Sequence, residues 1–115
     1  MAYDQELADR IRLIIGADPD RLSGLTEKKM FGGLAFLIGG NMAISASKEG
    51  GILVRVDPAD SQQLTETTGA TVAVMGGRAM TGWLRVAAAA VDDDEDLVPW
   101  VERSCAFARS LPAKH

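Results

Sequence analysis

The sequence predicts a two-layer α+β domain in the order α-β-β-β-α-β-β-α, with three helices on a five-stranded, mainly antiparallel sheet. Two observations predict it. Apolar residues recur at helical spacing at both ends of the chain, and from Met30 to Val86 the period falls to two, punctuated by Gly32-Gly33, Gly39-Gly40, Gly50-Gly51 and Gly76-Gly77. Strands and helices do not alternate as they do in a parallel nucleotide-binding sheet. With 115 residues and 47% hydrophobic content, residues 1–115 form a single domain whose core needs neither disulfide nor structural metal.

Tyr3, Leu7, Ile11, Ile14 and Ile15 line one face of a helix over 4–15, with Asp4 as its N-cap. Gly16, Asp18, Pro19 and Asp20 break it, and residues 16–27 read as a connection from which Leu22 and Leu25 tuck into the core. LAFLI (34–38), MAISA (42–46) and ILVRV (52–56), separated by glycine-containing turns, read as a three-stranded meander. Asp57-Pro58 starts a short helix over about 58–67 that Gly69 closes. TVAVM (71–75) and GWLRV (82–86) supply two more strands around a Gly76-Gly77-Arg78 turn. After a connector at 87–91, Leu97, Trp100, Val101, Cys105, Ala108 and Leu111 share one face of the last helix, joined at its edge by Phe107. Pro99 fits that helix in its first turn, and Pro112 ends it. Strand alternation places Met42, Ile44, Ile52, Val54, Val56, Leu84 and Val86 under the helices, and Ser45, Arg55, Trp83 and Arg85 on the other face.

Much chemistry is excluded. The single histidine, His115, is the last residue, so no nucleophile has a base, and Cys105 reads as core. Cys105 and His115 make no zinc set, and the acidic run 92–96 lacks the glycine and ligand spacing of a calcium loop. Those carboxylates instead complement the positive end of a helix dipole. Neither GxxxxGK[ST] nor GxGxxG occurs, no acids pair across apolar strands, and no catalytic residue, cofactor or metal is expected. Twelve basic against sixteen acidic residues, net charge −4, argue against direct nucleic-acid binding. The N-terminus lacks the positive charge of a signal peptide and no long apolar run suits a membrane, so a cytoplasmic protein is expected.

The surface that remains is mixed. Arg55 and Arg85 alternate outward from apolar neighbours and Trp83 shares their face, a combination suited to anchoring a protein partner or to holding an anion. Met30, Met75 and Met80 lie near the turns.

KMFGGLAFLI (29–38), Gly40-Asn41-Met42, LVRV (53–56), MGGRAMTGWLRV (75–86) and WVERSCAFARSLP (100–112) together resemble the N-terminal domain of the TfoX/Sxy family over about residues 3–112. That resemblance implies a two-layer α+β domain of the bacterial cytoplasm, without catalytic residues. In some members it implies regulation of competence genes together with a cyclic-AMP-responsive transcription activator. The longer regulators add a second, helical domain with no counterpart after Pro112, so the resemblance implies a stand-alone N-terminal domain. The matching motif positions are Met30, Phe31, Gly32, Gly33, Arg55, Met80, Gly82 and Trp83.

The expected function is therefore a non-catalytic regulatory or adaptor domain that acts through a protein partner such as a transcription regulator, with Met30, Phe31, Arg55, Met80, Trp83 and Arg85 as contacts. The alternative is a small anionic ligand, or weak enzymatic activity, at Arg55, Arg85 and the MFGG turn. A homodimer through an exposed sheet face or edge is the expected self-association.

Overall fold

The computed structural model describes residues 5–17, 24–30, 33–47 and 50–112, without the side chains of Met30 and Met75. Asp4, Leu22, Phe31 and Gly32 lie outside the described residues.

The elements are α1 (Gln5–Gly16), β1 (Leu25–Met30), β2 (Gly33–Ile38), β3 (Asn41–Ala46), β4 (Ile52–Arg55), α2 (Ser61–Thr68), β5 (Thr71–Met75), β6 (Arg78–Val86) and α3 (Asp94–Ser110). Single 3-10 turns at Pro58–Asp60 and Ala88–Val91 precede α2 and α3. All described strand pairs are antiparallel, in the order β1-β2-β3-β4-β6-β5. The class is α+β with three helices, as expected. The sheet, however, has six strands among the described residues rather than five.

The additional strand is β1, LTEKKM, in a stretch read mostly as connection. Its side chains from Thr26 to Lys29 are exposed, so no apolar alternation marks it. As an edge strand it needs only one partner, and it pairs with β2 from Leu25↔Ile38 to Met30↔Gly33. Leu25 packs against the core as expected.

The main core lies between the helices and one face of the sheet. Leu7, Ile11 and Ile15 of α1 and Leu97, Trp100, Val101, Cys105 and Ala108 of α3 meet Phe36, Ile44, Ile52, Val54, Leu84 and Val86. Each helix supplies residues spaced three or four apart, and β4 and β6 supply alternate ones. Cys105 is 2% exposed, in accord with its core reading.

Alternation fails at Met42. A bulge after Phe36↔Ile44 places Leu37 opposite Met42, so Ala43 joins the helix-side core and Met42 turns to the other face. There it meets a smaller cluster of Ala35, Leu53 and Ala73, against which Leu37 and Trp83 pack. No described helix contributes to that cluster.

The local signals are otherwise kept. Asp57 Oδ1 accepts from the Ala59 N–H at 2.9 Å and Pro58 follows, but this cap starts the 3-10 turn, and α2 runs from Ser61 to a left-handed Gly69. The strand expected over 82–86 begins earlier, at Arg78, immediately after a two-residue Gly76-Gly77 loop. Helix α3 begins at Asp94, which puts Pro99 in its second turn rather than its first. The Glu95 carbonyl thereby loses its i+4 donor, a loss that water can offset because both residues are exposed.

Candidate partner-binding surface

Strands β4 and β6 build the surface. Their register pairs Leu53 with Arg85 and Arg55 with Trp83, while the alternate pairs Ile52↔Val86 and Val54↔Leu84 point into the helix-side core. Arg55, Trp83 and Arg85, separated in sequence, therefore share the face opposite the helices, and all three are half-buried. The structure brings these three predicted residues together.

Arg55 is held by aromatic rings. Its guanidinium carbon lies 5.2 Å from the centroid of Trp83 and 5.7 Å from that of Phe107. The second contact joins the end of β4 to α3. Cation–π contacts of this kind contribute about 0.5–2 kcal/mol each, more as water is excluded. Phe107 was absent from the predicted contacts, although its place at the edge of the last helix's apolar stripe was the signal that could have found it.

The segment that presents Trp83 is irregular. Val72 pairs with Leu84 and Val74 with Ala79, so two steps along β5 face five along β6. Met80, Thr81, Gly82 and Trp83 fill the excess as an enlarged bulge. Gly82 makes it feasible. Its φ is +90°, its carbonyl accepts from the Val56 N–H at 2.7 Å, and a Cβ there would sit 3.0 Å from the Val56 carbonyl oxygen and 3.1 Å from Pro58 Cγ. The Met-x-Gly-Trp pattern is thus a backbone requirement as well as a surface feature.

A family model described as the TfoX N-terminal domain matches residues 20–108 of the 115-residue chain. The chain belongs to the TfoX N-terminal domain family. No curated protein matches it.

In this TfoX N-terminal domain the other predicted contacts are dispersed. Met30 ends β1, three strands from β4, beside Gly33. Phe31 lies outside the described residues. Met80 is partly exposed within the β6 bulge. Gly33 has a structural reason of its own, since a Cβ there would run into the Ala46 carbonyl oxygen.

The domain also has a cleft that the sequence reading missed. Thr68, Ala90, Glu95, Asp96, Pro99, Trp100 and Arg103 line about 280 Å³ where the end of α2 meets the start of α3. Arg103 lies 4.9 Å over the Trp100 ring, so a cation already covers the aromatic wall. Only the fold brings Thr68 and Ala90 to the acidic start of α3. No group of three His, Cys, Asp or Glu is placed to hold a metal among the described residues. No helix among them is long and apolar enough to cross a membrane.

Proposed function

We propose that this domain is a non-catalytic regulatory or adaptor module of the bacterial cytoplasm that binds a protein partner, a transcription regulator being the class its family favours. The observation that supports this reading is the half-buried Arg55 between Trp83 and the Phe107 ring of α3, beside an apolar cluster to which no described helix contributes. Aromatic and arginine side chains of this kind anchor protein interfaces, because they bury large area and also carry polar recognition. The competence role of longer family members belongs to this proposal as its regulatory setting.

The test is capture from the native cytoplasmic extract by the wild-type domain and by an Arg55→Glu/Arg85→Glu variant, each first shown to unfold cooperatively. Arg85→Glu alone is run beside them, because Arg55 also holds Phe107. Recovery of a transcription regulator by wild type, and its loss in both variants, is the expected result. Equal recovery by all three proteins would discard this surface.

Self-association through β5 is proposed alongside. Thr71–Met75 is an uncharged edge strand whose Val74 is 59% exposed, whereas the opposite edge, β1, carries Glu27, Lys28 and Lys29.

A further inference from the structure

The acids of this domain lie almost wholly off the sheet. Strands β2 to β6 contain Arg55, Arg78 and Arg85 and no Asp or Glu, although the whole chain has sixteen acids and a net charge of −4. The sheet's single acid, Glu27 on β1, is taken up by Arg12 of α1 at 2.7 and 2.8 Å. Arg10 is likewise paired, with Asp94 at 2.9 Å. Arg55 differs. It has two ring contacts, and no described residue offers it a carboxylate.

A guanidinium held by aromatic rings still carries its N–H groups in its own plane, where they match the two oxygens of a carboxylate. The two ring contacts also restrain the side chain before anything binds, which removes part of the ordering cost. Arg85 is a diagonal neighbour across the β4–β6 pair, and the half-buried Trp83 supplies apolar contact beside it.

We propose that the partner surface recognises an acidic protein segment, one that places an Asp or Glu carboxylate on the N–H edge of Arg55 and an apolar side chain against Trp83. This rests on the protein-binding reading above and adds the chemistry of the partner. A nucleic acid is the less favoured source of the anion, because a polyphosphate meets the acidic remainder of the domain and finds few cations to release its counterions.

The experiment is a titration of the ¹⁵N-labelled domain, reading the Arg55 Nε–Hε and Trp83 indole resonances. Three probes are used: an acetylated, amidated peptide alternating glutamate and leucine, its glutamine counterpart, and an oligothymidylate of equal charge. The glutamate peptide is expected to shift both resonances saturably and to bind about tenfold or more tightly than the glutamine peptide. Arg55→Lys, which keeps the charge but loses the planar fork, is expected to weaken it about tenfold, and Arg85→Gln less. Unchanged backbone amide resonances at Val101, Ser104 and Ala108, buried residues of α3, show that the lysine variant keeps that helix in place.

Equal binding of the glutamine peptide at these resonances overturns the acidic-segment inference and leaves the adaptor reading standing. Tighter binding of the oligothymidylate overturns both in favour of a phosphate ligand. Silence of Arg55 with every probe up to about 10 mM, a ceiling above the weakest specific binding considered, overturns the inference, while capture from extract decides the adaptor reading independently.

Discussion

Gly82 meets three demands at one position: a left-handed backbone, a short hydrogen bond from Val56, and the close approach of Pro58. A side chain would have to tolerate φ +90° and push against a carbonyl oxygen that cannot move without disturbing β4. Gly82→Ala is therefore expected to lose about 1–3 kcal/mol of stability, read as a lower urea midpoint at unchanged slope. An unchanged midpoint would show that the bulge relaxes freely. At this scale the sequence was informative wherever alternation was regular, because VRV and LRV put Arg55 and Arg85 on one side without knowledge of strand order. It failed at Met42, where one extra residue reverses the side on which a chain segment points. Nothing in NMAISA distinguishes a bulged strand from a plain one.

Strand β1 depends on its neighbours more than on its own residues. Arg12 grips Glu27 through two oxygens and Asp9 through a third contact at 2.6 Å, tying α1 to the charged edge of the sheet. Hydrogen bonding from Arg12 holds the Glu27 carboxyl below its ordinary value, against the opposing effect of burial. The folded domain thus binds that proton less readily than the unfolded chain does. The contribution is present above the carboxyl's unfolded pKa and disappears as pH falls through the folded one. Because both side chains are substantially exposed, the pair is worth no more than about 1 kcal/mol. Glu27→Gln should accordingly lower Tm slightly at pH 7 and leave it unchanged at pH 2. An equal loss at both pH values would mean that the carboxylate charge is not what matters. A strand held by cross-layer pairing and charge has no apolar rhythm, which is why the sequence showed five strands and the fold has six.

Across the whole molecule, the two-layer α+β class, its helix count and its antiparallel pairing were legible because long periodic segments at both ends and glycine-bounded strands between them specify few alternatives. The Trp100 cleft was not, since α2 and α3 are joined there only after the intervening hairpin folds back. Edge exposure is another property of the assembled sheet. If β5 pairs with a second copy, sedimentation velocity will show mass rising with concentration, and Val74→Lys will hold the domain at monomer mass. A monomer at all concentrations removes the dimer. The β6 bulge has a consequence for folding accuracy. A regular antiparallel pair that slips by two residues keeps its buried side buried, so the error is weakly penalised. In β6 the same slip would carry Met80 or Leu84 into the place that only a residue without a side chain fits. Gly82 serves as an index mark, allowing the longest strand of the sheet to engage β4 at a single setting.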